Sequence, residues 1–569
     1  MIRYAALLIL NIYILSGCSG NPKDVVLKTS EGNGILADSG MVVSAQSESS
    51  RIGVSVLRKG GNAVDAAVAT GFALAVCYPE AGNIGGGGFM VIRTSDGKTD
   101  VIDYREKAPL LGSRDMFLDD KGNVREGLST VTLLASGVPG AVDGMISAHS
   151  KYGKLAFKDV IQPAIELAET GFSVSQTQAI SLNANRENFI LRNLNRPAFV
   201  KDSIWKEGDT LRQPALAETL KRIRDFGRDG FYSGITAEYI LKEMQRGNGL
   251  ITQKDLSDYR AEFRKPLQTE YKSFKIITAP PPSSGGITLI QLLGMVEPYP
   301  MNELGFHSWK SIHLMAEAER RAFADRAKYL GDPDFVKIPV AGLLDKQYLA
   351  GRMKTFNRMK ASSSSDITYG APVGYESEET THYSVVDAMG NAVATTTTLN
   401  DTFGNSIVVD GAGFLLNNQM DDFSIKPGFP NMYGLVGGEA NSVKPGKRML
   451  SSMTPVIIEK EGKLFLVLGS PGGSTIPTSV FQVIVNVINF RMNIQEAVDA
   501  GRFHHQWLPD EIIYEKDGID SISVLKLKQI GHELTLRKAI GRVNAINVLP
   551  DGKKAGGADK RGNNSACGY

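Results

Sequence analysis

A threonine-rich stretch near residue 380 constrains this 569-residue chain more than any other feature. From Thr381 the pattern alternates: His382, Ser384 and Val386 fall on one parity, Thr381, Tyr383 and Val385 on the other. Asp387 to Asn391 supplies turn residues, and Ala392 to Leu399 returns as a second strand. Pairing Asp387 with Asn391 sets Thr398 opposite Thr380, with Thr396 and Asn400 on the same face. Two or three registers fit the pattern, and a slip by one residue would turn that face over. Threonine is also an ordinary strand former, so the hairpin alone does not demand chemistry.

Chemistry becomes available if the peptide bond Glu379–Thr380 is cut. Threonine is a weak nucleophile that needs a base, and an α-amino group on the same residue can be that base. The segment from Ala361 to Glu379 is rich in serine and lacks apolar periodicity. It reads as a mobile surface loop, where cleavage is easiest to accommodate.

Other stretches add to this. Leu415 to Ser424 packs Asn417, Asn418, Gln419, Asp421 and Asp422 behind an apolar strand, and Ser451-Ser452 precedes another. The strand Leu464–Leu468 runs through Gly469-Ser470-Pro471-Gly472-Gly473 into a helix starting near Ser474. A strand, glycine turn and helix aim backbone N–H groups and the positive end of a helix dipole at one point, as an oxyanion hole requires. Gly82 to Gly88 is no phosphate loop: it lacks the Gly-Lys-Ser/Thr ending and leads into a strand, so close backbone packing is the better account. Arg105, just past the strand Thr99–Asp103, would by itself be an ion-paired surface residue. Asn62 is expected to cap a buried helix from Ala63 to Val76, with Asp65 in its first turn. Residues 140 to 360 read as mostly helical, with helices at Leu155–Thr170, Pro214–Phe226, Thr236–Arg246 and Ser308–Lys328. His504-His505 makes a poor metal site, because adjacent residues on a strand point apart.

Together these motifs resemble the γ-glutamyltranspeptidase family. The resemblance rests on Thr380 to Ser384, Leu416 to Ser424, Ser451 to Met453 and Gly469 to Ser474. It is joined by Gly85 to Phe89, Pro281 to Gly286 and Arg502 to Gln506, and spans about residue 25 to the C-terminus. It implies an α+β, four-layer αββα N-terminal-nucleophile hydrolase fold, built from a large chain (18–379) and a small chain (380–569) of one self-cleaved precursor. It implies that Thr380 attacks the γ-carbonyl of glutathione or another γ-glutamyl compound, and that water or an amino-acid amine takes the acyl group, with no cofactor and no metal. By the same resemblance Thr398 orients the nucleophile, and Gly472 and Gly473 form the oxyanion hole. Arg105, Ser451 and Ser452 would hold the substrate α-carboxylate; Asn400, Gln419 and Asp422 would hold its α-amino group. Lys426 to Gly434, with Tyr433, resembles the lid over the glutamyl pocket. Glu379 before the cut and Lys560 near the C-terminus depart from the family pattern.

A β-lactam (glutaryl or cephalosporin) acylase of the same fold is the alternative, although its substrate lacks the amino group that Asn400, Gln419 and Asp422 would bind. A non-catalytic lipoprotein that keeps the fold is another. Met1 to Gly17 has the weakly basic start and short apolar run of a secretory signal, and Leu15-Ser16-Gly17-Cys18 resembles a lipobox. Lipidation of Cys18 and a periplasmic or outer-membrane-anchored location follow as expectations. Cys77 and Cys567 then remain, and an oxidising compartment would allow them to pair. A net charge of +2 without basic runs gives nucleic-acid binding no support.

Overall fold

A computed structural model of the chain describes residues 34–368, 380–432 and 434–569. Within them, two seven-stranded sheets lie face to face. The first runs in the order Ile35–Ala37, Lys554–Ala558, Asn544–Val548, Lys463–Gly469, Val456–Lys460, Phe274–Thr278, Leu267–Tyr271. The second runs Ser565–Gly568, Met41–Ser44, Thr381–Val386, Ala392–Thr398, Gly87–Arg93, Thr99–Asp103, Glu262–Arg264.

The strands are apolar on both faces, and successive residues enter different cores. Phe89 and Val91 join Ile457, Val467 and Ile546 between the sheets, whereas Met90 and Ile92 pack outward. Val456, Ile458, Leu466 and Leu468 face out from the first sheet onto the helices Gly285–Val296, Trp309–Tyr329 and Thr475–Ile488. The second sheet is covered by the helix Ala63–Cys77, every residue of which is buried. Period-two alternation with both faces covered is what a helix–sheet–sheet–helix stack requires. The four-layer αββα arrangement is therefore present.

Local signals account for the elements that place the site. Asn62 accepts from Val64 N and Asp65 N while Asp65 accepts from Asn62 N, a reciprocal cap that starts the buried helix. The hairpin register is the one that sets Thr398 against Thr380: Thr381 pairs with Thr397 and His382 with Thr396. On its other side the returning strand pairs along its whole length with Gly87–Arg93. The close approach expected of the glycine run is real. A Cβ on Gly86 would lie 2.0 Å from the Thr398 carbonyl oxygen.

Two expectations change. Arg105 is not a surface residue but fully buried. The serine-rich segment is not loose over its first part: Ser364 N donates to Asp510 (2.7 Å), and Ser362 Oγ donates to Glu317 (2.6 Å). The indole of Trp507 donates to the Ser364 and Ile367 carbonyls, which pins this part to the helix Trp309–Tyr329 and the Trp507 loop. Cys77 and Cys567 are free thiols.

Candidate active site

Thr380 directly precedes the strand Thr381–Val386, and its Oγ1 lies 3.4 Å from Thr398 Oγ1 on the partner strand. Asn400 N donates to Thr398 Oγ1 (2.9 Å), and Asn83 Nδ2 donates to the Thr398 carbonyl (2.9 Å). Asn83 also accepts from Gly86 N, so one buried amide ties the glycine run to the threonine pair. Asn83 sits within the glycine run, but its role is not legible locally, because its partners become neighbours only in the folded sheet.

The threonine pair opens onto a cleft lined by Arg105, Asn400, Gln419, Asp422, Ser451, Ser452 and Gly473, with Leu435, Met453 and Ile476 as apolar walls. Gly473, at φ +52°, lies just before the helix Thr475–Ile488 and lines this cleft. Gly472 precedes it in the turn, its carbonyl accepting from Thr475 N (2.9 Å).

Opposite charges meet inside this cleft. The Arg105 guanidinium pairs with Asp422 in a short contact and with Glu106, and it donates to the Met449 and Leu450 carbonyls. Gln419 Nε2 donates to Asp422 (2.6 Å), while Gln419 Oε1 is buried with no hydrogen-bond partner. An orphaned acceptor beside a carboxylate suits an incoming ammonium group. Ser451 is held by Pro282 and Ser284, since Ser451 N donates to the Pro282 carbonyl and Ser284 Oγ to the Ser451 carbonyl (2.6 Å). Ser452 Oγ accepts from Arg326 (3.2 Å).

Burial shifts several acids and bases. It raises Glu106 to about 7 despite the opposing Arg105 charge. It raises Asp421 to about 7 although Ser129 Oγ and Met432 N donate to that carboxylate. It lowers the His382 imidazole to about 3, so this ring stays neutral between Thr396 and Ser384. Asp421 sits in the polar stretch after Leu415 and Glu106 beside Arg105, but their raised pKa values follow from burial, which no local pattern shows.

Among the described residues one group, His313, Glu317 and His532, places possible metal-ligand atoms close together. Those atoms are engaged elsewhere: the two rings bond each other at 2.7 Å, and Glu317 serves Arg320, Arg321 and Ser362. His504 and His505 do turn to different partners, Thr478 and Asp510. The expectations at Glu379, Tyr433 and Cys18 lie outside the described residues.

The chain matches the γ-glutamyltranspeptidase family profile over residues 49–569. It belongs to the γ-glutamyltranspeptidase family. It is similar to the glutathione hydrolase proenzyme of Escherichia coli, 49% identical over 534 residues that cover 93% of this chain and 91% of that protein. The Helicobacter pylori γ-glutamyltranspeptidase structure superposes with a TM-score of 0.57 at 44% identity, covering 60% of this chain and 97% of that one. The Bacillus halodurans cephalosporin acylase structure gives a TM-score of 0.84 at 25% identity, covering 98% of this chain and 99% of that one. The two-sheet fold is therefore shared by transpeptidases and acylases, and only the site can separate them.

Proposed function

We propose that this transpeptidase-family chain is a γ-glutamyltransferase and glutathione hydrolase, made as a precursor that cleaves itself between Glu379 and Thr380. The observation that carries this reading is the cleft: a threonine pair at its edge, and Arg105, Asp422 and the orphaned Gln419 Oε1 within it. A γ-glutamyl head is a zwitterion. Its α-carboxylate suits Arg105 with the Ser451 and Ser452 hydroxyls, and its α-ammonium suits Asn400, Gln419 and Asp422. Arg105 and Asp422 neutralise each other, and a bound zwitterion would replace each partner with a charge of the same sign.

In the reaction, the α-amine of Thr380 accepts the hydroxyl proton as Oγ1 attacks the γ-carbonyl carbon. The oxyanion lies against Gly472 and Gly473 at the helix N-terminus. Collapse breaks the γ-amide bond, the amine returns its proton to the leaving nitrogen, and an ester to Thr380 remains. Water or an amino-acid amine then attacks that ester by the same proton path. No cofactor takes part.

The large chain would be 18–379 and the small chain 380–569, joined as a heterodimer, with the Tyr433 loop covering the bound glutamyl group. Met432 N donates to Asp421 (2.9 Å). Met1 to Gly17 would direct export, and a lipid on Cys18 would hold the protein at a bacterial membrane. Among the described residues no helix is long and apolar enough to cross a membrane.

Acylase chemistry is not favoured, because a glutaryl group has no ammonium for Gln419 and Asp422. Release of a chromogenic amine from a γ-glutamyl anilide, but not from a glutaryl anilide, tests this choice. Faster release from the glutaryl compound would overturn it.

A further inference from the structure

Thr380 borders two cavities. Besides the glutamyl cleft it lines a second, polar chamber with Thr381, His382 and Asn544. The chamber occupies a gap in the second sheet. The strand Thr381–Val386 pairs with Met41–Ser44 only from Ser384 to Val386, so residues 380–382 have no strand on that side. Asn544 fills part of the gap by donating from Nδ2 to the His382 carbonyl (2.7 Å). Backbone groups two residues apart along a strand point the same way. The backbone nitrogen of Thr380 therefore faces the chamber, as the His382 carbonyl does.

Buried atoms on residues that line the chamber lack hydrogen bonds, among them Thr381 Oγ1 and Asn544 Oδ1, on residues that are each 1% exposed. A buried polar atom left unpaired costs about 1–3 kcal/mol, so two beside one chamber point to a ligand with protons to donate. Before cleavage the Thr380 nitrogen is an amide with one proton; after cleavage it is an amine with two or three.

We propose that the chamber receives the α-amino group that cleavage creates on Thr380, and that Thr381 Oγ1 and Asn544 Oδ1 are the acceptors that hold it in place as the general base. Thr381 and Asn544 are thus positioning residues. This inference rests on the function proposed above.

The titratable groups on the chamber's other walls are Tyr78, Glu80, His382, Arg542 and Arg561. His382 is neutral, and Arg561 is committed to Glu515 and Asp559. Acceptors favour the ammonium form, so losing one lowers the pKa of the amine. The acid limb of the kcat/KM profile for a γ-glutamyl anilide then moves to lower pH.

The test measures that limb in the cleaved full-length protein. Thr381→Val should move it down by about half a pH unit or more, and Thr381→Ser should restore it. Asn544→Asp places a negative charge beside the ammonium and should move the limb up. Limbs that coincide with wild type in Thr381→Val and Asn544→Asp would overturn the assignment. So would a Thr381→Val chain that stays uncut, because the hydroxyl would then act before the amine exists. Wild-type protein that releases no anilide would instead refute the proposed function.

Discussion

Thr398 Oγ1 stands 3.4 Å from Thr380 Oγ1 and accepts from the backbone nitrogen of Asn400 at 2.9 Å. Asn400 reaches that position at φ +80°, a left-handed conformation that asparagine tolerates better than most residues. The orienting hydroxyl is thus fixed by main chain as well as by strand register. Thr398→Val should lower kcat by about 10- to 100-fold, the usual effect of a misplaced reacting group. Its KM should stay near wild type, and Thr398→Ser should recover most of the rate. Steady-state kinetics with a γ-glutamyl anilide check this.

Gly86→Ala should act at a distance from the substrate. Its Cβ would meet the Thr398 carbonyl oxygen at 2.0 Å, and both groups are main chain. One strand must shift, and the threonine pair shifts with it. The expected result is precursor cleavage slowed by at least about tenfold, read as persistence of the full-length band on a denaturing gel.

How far these features were legible depends on their range. Turn residues and parity, both local, narrow the hairpin to two or three registers, of which the structure adopts the one that pairs Thr381 with Thr397. The buried helix after Asn62 followed from its cap and its apolar run. Taken by itself Arg105 reads as a surface residue, because its partners Asp422, Met449 and Leu450 lie more than 300 positions away; only the family resemblance points it at the site. Asn83 and Asp421 lie inside stretches the sequence marks out, but nothing local shows what Asn83, Glu106 or Asp421 does, because their partners and burial are set by the fold. The small sheet Phe503–His504, Ile512–Glu515 and Leu534–Arg537 was not foreseen, since its strands are too short to show alternation. The cleft residues were named from resemblance, and the fold brings them together.

Asp422→Ala should raise KM more than it lowers kcat. Removing one partner of a buried charge pair typically costs 2–5 kcal/mol, so kcat/KM should fall at least about 30-fold. Part of that loss reflects Arg105, left buried beside Glu106 alone. A γ-linked glutaryl anilide, which has no α-ammonium, should be turned over no worse than by wild type.

Asp421 should make stability fall as pH rises. Its folded-state pKa is raised to about 7 from an ordinary 3.8, so the folded protein binds this proton more tightly than the unfolded chain. The favourable contribution is complete below about pH 4 and is lost between about pH 4 and 7. Asp421→Asn, uncharged at every pH, should flatten this part of the profile. Denaturant unfolding at pH 5 and pH 8 should show the variant gaining relative to wild type at the higher pH.

Thr380 is expected to become an N-terminus by its own chemistry. The most direct test is N-terminal sequencing of the purified full-length protein after a denaturing gel, alongside Thr380→Ala. The expected result is two bands for wild type, the smaller beginning Thr-Thr-His-Tyr, and one inactive band for Thr380→Ala. A Thr380→Ala protein cut at the same bond, or an active wild-type protein that remains a single chain, would contradict it.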